Sequence, residues 1–204
     1  FPDKVYQTKK IVLRKRYWLY YALQFMSGAR RQIFMVFAGF LMVEKFNFSV
    51  AEISLLFIVN SLITIPLAPR IGKLIAKIGE RKALIIEYIG LAAIFVGYAL
   101  TQSALFAVIL YLLDHIFFSL AIALKTYFQK IADSADIASS AGVSFTINHI
   151  AAVFIPAIFG FIWLYSSAMV FYAGAIMALV SLILALNMPS KPNPGNEVLL
   201  GRFS

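Results

Sequence analysis

The sequence predicts an all-α, polytopic membrane protein with six spanning helices. Three observations carry this reading. Of 204 residues, 62% are hydrophobic and only 13% are charged. The mean hydropathy is +0.87. The apolar residues gather into long continuous runs instead of alternating. Soluble domains are about 45–50% apolar and about 25% charged, so no water-soluble core of this length hides so much apolar surface. Disordered, collagen-like, coiled-coil and disulfide-scaffold classes fail on the same composition. The absence of cysteine removes thiolate metal sites and thiol redox chemistry.

A spanning helix needs roughly 20 mostly apolar residues, because the hydrocarbon core is about 30 Å thick and a helix rises about 1.5 Å per residue. Six runs qualify: Tyr17 to Val43, Ser49 to Pro69, Ala83 to Thr101, Ala104 to Leu124, Ser140 to Trp163, and Ser167 to Pro189. Continuous apolarity favours helices over barrel strands, since each segment must satisfy its own backbone in lipid. Ser49 with Glu52 reads as a capping box opening the second span. Pro69 and Pro189 read as helix stops. Arg30 and Arg31 interrupt the first run.

The basic residues set the orientation. Lys4, Lys9, Lys10, Arg14, Lys15 and Arg16 precede the first span. Arg70, Lys73, Lys77, Arg81 and Lys82 follow the second, Lys125 and Lys130 follow the fourth, and Lys191 and Arg202 lie after the sixth. The opposite side has only Lys45. Both termini and the long loops are therefore expected on the cytoplasmic face of the cell membrane. This asymmetry accounts for the net charge of +9, with the lipid bilayer as partner and no nucleic acid. The chain divides into a basic cytoplasmic linker (1–16), a six-helix domain (17–189) and a cytoplasmic tail (190–204). The tail has the composition of a short disordered end. A start at Phe1, with no cleavable signal ahead of the spans, suggests a fragment or processed piece.

Ionisable groups deep in apolar spans are costly and usually functional. Arg30 and Arg31 lie about 20 Å along the first helix from either end. Gln24, Ser27, Gly28 and Arg31 share one stripe, and Arg30 is turned about 100° away. Arg31 is the stronger cavity candidate, with Arg30 close behind. Tyr111, Asp114, His115 and Ser119 mark the fourth span, Ser144, Asn148 and His149 the fifth, and Asn60 and Thr64 the second. The third and sixth spans offer nothing comparable at their centres. A guanidinium at this depth needs an anion, either a protein carboxylate or a substrate group. A fixed Arg31–Asp114 pair is one arrangement. The other leaves Arg30 or Arg31 to an anionic solute and Asp114 to proton exchange, with His115 and His149 as relays or hydrogen-bonding groups. Pro156 and Gly160 in the fifth span fit a hinge or ordinary helix packing equally.

The loop after the second span reads Gly72-Lys-Leu-Ile-Ala-Lys-Ile-Gly79-Glu-Arg-Lys82. It resembles the signature loop of the major facilitator superfamily, G-x-x-x-D-R-x-G-R-R/K, between the second and third helices of a six-helix half. Gly72, Lys77, Gly79, Arg81 and Lys82 fit the pattern; Ala76 stands in the place of the aspartate and Glu80 in the place of a basic residue. Glu87, about a turn into the third span, is the expected partner of Arg81 and Lys82. A degenerate loop of this kind resembles the second-half copy of the family. The resemblance therefore implies the C-terminal half of a twelve-helix transporter, built as two inverted three-helix repeats. It also implies a central cavity lined by the first, second, fourth and fifth spans, with the third and sixth packed outside.

The function implied is secondary active transport of a small organic solute by alternating access, proton-coupled through Asp114 and His115. Its cavity candidates are Gln24, Arg30, Arg31, Asn60, Thr64, Tyr111, Asn148 and His149, and its absent partner is the N-terminal six-helix half, unless two copies assemble face to face. The alternatives are a non-transporting six-span scaffold or receptor, and a membrane enzyme using Asp114, His115 and His149. The enzyme is the weaker alternative, because no His-x-x-x-His spacing or nucleophile motif accompanies these residues. No cofactor and no metal are called for.

Overall fold

A computed structural model describes residues 13–201, and the elements are helical throughout. Lys4, Lys9, Lys10, Arg202 and most of the basic linker lie outside the described residues. The first span is helical in three pieces: α1 (Trp18–Ile33), a π-helical turn (Phe34–Ala38) and α2 (Gly39–Phe46). The second is α3 (Val50–Ile78) and the third α4 (Glu80–Leu100). The fourth comprises α5 (Ala104–Phe118), a 3-10 turn (Ser119–Ala121) and α6 (Ile122–Ile131). The fifth is α7 (Ile137–Tyr165), entered through a 3-10 turn (Ser134–Asp136), and the sixth is α8 (Ser167–Leu186). Five of these are long and apolar enough to cross a bilayer unaided; the first, carrying Arg30 and Arg31, completes the set as a continuous helical rod.

The spans pair as two equivalent three-helix units. The third and sixth make the most extensive contact, the first packs on the fifth and sixth, and the fourth packs on the second and third. Exchanging the units maps these pairings onto one another, as inverted repeats require. The exchange is not even: α1 is tightly seated on α7, whereas α3 buries only Asn60, Ile71 and Ile75. Small residues set the closest approaches. A Cβ on Gly90 would meet the Phe117 ring at 2.3 Å, so glycine is what lets α5 lie against α4 there.

The capping box is formed as read: Ser49 Oγ accepts from the Glu52 N–H, and the Ser49 N–H donates to Glu52 Oε2 at 2.7 Å. Pro69 is not a helix stop. α3 runs through Pro66 and Pro69 to Ile78, because Ile71 and Ile75 on its inner face join a buried cluster with Leu84 and Leu120. Tertiary burial thus outweighs the lost backbone bonds. The helix ends at Gly79, whose φ of +86° an L side chain rarely adopts. The fourth and fifth spans likewise outrun their apolar cores.

The tail, read as disordered, is ordered through Gly201. Asn187 brackets Leu200, its Oδ1 accepting from the Leu200 N–H at 2.7 Å and its Nδ2 donating to the Leu200 carbonyl at 3.0 Å. Val198 is buried, the Tyr127 hydroxyl donates to the Glu197 carbonyl at 2.6 Å, and the Trp18 indole donates to the Gly201 carbonyl at 2.9 Å. Polar composition predicted disorder, but these partners lie on distant helices that local sequence does not reveal. At the same end, Arg14 pairs with Asp136 at 3.1 Å and Arg16 with Asp133 and Glu197 at 2.9 and 3.0 Å. The Asp136 carboxylate holds the Arg14 guanidinium above its usual range. All the described basic segments therefore gather at one end of the bundle. At the other, the Trp163 indole donates to Glu44 and Lys45 donates to the Thr101 carbonyl.

Candidate functional site: a polar cavity between the first, fourth and fifth spans

The stripe on α1 faces the cavity for a simple geometric reason. Tyr20, Gln24, Ser27, Gly28 and Arg31 recur at helical spacing, so one face of the helix carries them all. That face, with α6 and α7, encloses a cavity of about 470 Å3. Gln24, Ser27, Arg31, Ser144 and Asn148 supply its polar groups, Lys125 and Gln129 stand on its α6 wall, and Phe118, Phe128 and Phe145 supply apolar surface. The Tyr20 hydroxyl and Ser144 Oγ share a hydrogen bond of 2.7 Å. Asn148 lies directly over Gly28. This combination of apolar walls and few convergent polar groups is what an organic solute needs.

Arg31 also borders a second, smaller cavity of about 180 Å3, with Arg30, Phe34, Leu91, Phe95, Asp114, His115 and Phe118. A third, of about 300 Å3, is lined by Asn60, Thr64 and His115 together with Phe57, Ser61 and Ile65. His115 is shared by the second and third, so the polar groups of the first, second and fourth spans form a chain of adjoining hollows. Tyr111 is buried between the rings of Phe34 and Phe57, with Asn60 beside its hydroxyl.

Several sequence-predicted residues stand differently from their reading. Arg31 is not paired with Asp114; it is exposed to the cavities, its guanidinium 5.9 Å from the Phe118 ring centre. Arg30 is the buried member, 1% exposed, packed 4.4 Å over the Tyr88 ring and 3.7 Å from Glu87. Glu87 is therefore not the partner of Arg81 and Lys82. It lies 0% exposed on the inner face of α4, while Arg81 donates to the Leu186 carbonyl at the end of α8 at 2.8 Å. The helix phase decides this: Glu87, Tyr88, Leu91 and Phe95 occupy the buried face of α4. Glu80 is buried and bridged to Lys130 at 2.6 Å, tying the loop to α6. Gly72, Lys77 and Lys82 are exposed at the surface. His149 is also exposed, its ring on Phe145 and its Nδ1 against the Phe145 carbonyl, away from the three cavities.

The sequence reading missed Glu87 as a deep group, Tyr20 and the α6 wall residues Lys125 and Gln129. Tyr20 was recoverable, being one turn from Gln24 on the same stripe. The α6 residues were hidden by the 3-10 turn at Ser119–Ala121, which shifts the helical phase.

A family model described as the Major Facilitator Superfamily matches residues 20–202. The chain belongs to the Major Facilitator Superfamily. The match spans all six helices, and the superfamily consists of membrane transporters, not enzymes. No curated protein matches the chain. Superfamily membership and the apolar helices make this a multi-pass membrane transporter protein.

Proposed function

We propose that the chain is the C-terminal half of a secondary active transporter, that it moves a small organic solute with an anionic group, and that transport is proton-coupled. The observation that supports this is the 470 Å3 cavity with Arg31 free at its wall and Asn148, Gln24 and Ser27 converging on the same space. An uncompensated guanidinium beside aromatic surface recognises a carboxylate or phosphate attached to an apolar body. Asp114, deep beside the second cavity, supplies the proton-exchanging group, and His115 bridges it to the second span. The partner is an N-terminal six-helix half that closes the open side of α3, and both termini face the cytoplasm of the cell membrane.

The test is counterflow in proteoliposomes holding this chain with an N-terminal half, using labelled monocarboxylates, dicarboxylates, amino acids and organophosphates. Saturable exchange of at least one anion, lost in Arg31→Gln with insertion intact, supports the reading. Exchange unaffected by Arg31→Gln, or none with any anion, overturns it.

A further inference from the structure

Five carboxylates are buried among the described residues: Glu80, Glu87, Asp114, Asp136 and Glu197. Three have a cation each: Lys130 for Glu80, Arg14 for Asp136 and Arg16 for Glu197. The remaining two, Glu87 and Asp114, both neighbour one cation. Arg30 stands 3.7 Å from Glu87 and lines the 180 Å3 cavity together with Asp114. The charges of Arg30 and Asp114 both act on Glu87. Glu87 is 0% and Asp114 2% exposed, so neither reaches bulk water.

Among the described residues no second cation forms an ion pair with either carboxylate. α1 brings Arg30 and Arg31; Arg31 also borders the smaller cavity with Asp114, but it is exposed and makes no ion pair with it. α4 brings Tyr88 and Tyr98, whose hydroxyls are buried without a hydrogen-bond partner. α5 brings Tyr111 and His115, and His115 Nδ1 is against the Tyr111 carbonyl. α3 brings the neutral Asn60, α7 holds His149 on its exposed face, and α8, behind α4, carries no charged residue. Two carboxylates and one guanidinium in a desolvated space leave one net negative charge, whose burial is costly. A single proton removes it, as in other paired carboxylates that cannot both ionise.

We propose that Glu87 and Asp114 hold one proton between them, with Arg30 as the cation they share. When the proton is on Asp114, Arg30 compensates Glu87, the arrangement seen here. When it is on Glu87, Arg30 compensates Asp114. The transfer breaks an O–H bond on one carboxyl and forms one on the other, leaving the total charge unchanged. Arg30 and Glu87 make no direct hydrogen bond to each other, and the 180 Å3 cavity lined by Arg30 and Asp114 has room for water. Water there would carry the proton from Asp114 as far as Arg30, which stands beside Glu87. Glu87, on a helix outside the solute cavity, thereby becomes a positioning residue for Arg30. In its consequence for transport, this deepens the coupling reading above.

The experiment is infrared spectroscopy of the full chain in phosphatidylethanolamine and phosphatidylglycerol vesicles at pH 7, read at the carbonyl stretch of protonated carboxyls. Carboxyl-13C aspartate and carboxyl-13C glutamate are introduced in separate preparations, so the wild-type protein answers the question without a folding risk. One protonated carboxyl, part of whose band moves with each label, is the expected result. A band that moves with only one label, or no band, overturns the proposal. Among variants, Asp114→Asn and Glu87→Gln should each abolish the band, because Arg30 then serves the carboxylate that remains. Arg30→Gln should double it. A band surviving in Glu87→Gln also overturns the proposal, since the proton would then be Asp114's alone. Because the spectrum needs no solute, a shift with both labels in a protein without anion exchange upholds the shared proton while the transport reading falls.

Discussion

Asn148 Oδ1 lies 2.6 Å from the position that a Cβ on Gly28 would occupy, and Ala151 Cβ 3.5 Å from it. Glycine at this point of α1 lets α7 come close enough for Asn148 to reach the cavity wall. The blocking atom is the end of a short side chain, so Gly28→Ala is accommodated by turning Asn148 aside, at a cost below about 1 kcal/mol. Gly28→Leu cannot be accommodated this way and should separate the helices, at about 1–3 kcal/mol. Thermal unfolding midpoints in detergent distinguish the two. Solute binding should weaken in both, because both displace Asn148.

Arg30 and Glu87 are buried together, and removing Arg30 obliges Glu87 to take up a proton or to stay charged without a partner. Arg30→Ala should cost up to about 3–5 kcal/mol, whereas Arg30→Met combined with Glu87→Met should recover most of that loss. Denaturant unfolding of the single and paired variants checks it. Additive losses in the pair would show that the two residues do not act on each other.

Arg31 stands free and should behave oppositely. Arg31→Gln is expected to leave insertion and unfolding midpoint within about 0.5 kcal/mol of wild type. Anion uptake should fall about 10- to 100-fold, the equivalent of losing a charge-assisted hydrogen bond of about 1.5–3 kcal/mol. Parallel uptake and melting measurements separate the two effects.

Tyr127 and Asn187 are among the residues that hold the tail. Tyr127→Phe removes the hydrogen bond to the Glu197 carbonyl and leaves the ring in place. Limited proteolysis should cut residues 190–201 several-fold faster in this variant, and faster again with Asn187→Ala. Equal cleavage rates in wild type and variants would refute the docking.

The chain has no cysteine, so single cysteines report sidedness cleanly. Ala76→Cys and Asp133→Cys should react with an impermeant maleimide only from the cytoplasmic side. Gln102→Cys should react only from the other. Labelling of intact cells against inverted vesicles tests the orientation.

The bundle was largely legible in the sequence because lipid imposes one rule, a long apolar run, that local composition satisfies or does not. Ser49 and Glu52 fixed the start of α3 for the same reason, since both partners of that cap lie within one turn. What local sequence hid was pairing across the fold. Glu87 looked like a partner for the nearby Arg81, yet its helical phase turns it to Arg30. Pro69 looked like a terminus until Ile71 and Ile75 found buried neighbours. The tail's order depends on Tyr127 and Trp18, far away in the chain. Arg31 and Asn148 were readable as inward residues because they share stripes with other polar groups, while His149, one position on, falls on the outer face.

The widened turn at Phe34–Ala38 makes one residue of the first rod surplus to an ordinary winding. Deleting Val36 would let that turn close to ordinary winding while everything beyond it keeps its angular setting. Phe40 would go on looking outward and Leu41 inward. The same one-residue loss from the regular winding of α1 would swing the rest of the rod by about 100° against the fifth helix, so this stretch is where the rod can shed a residue without turning.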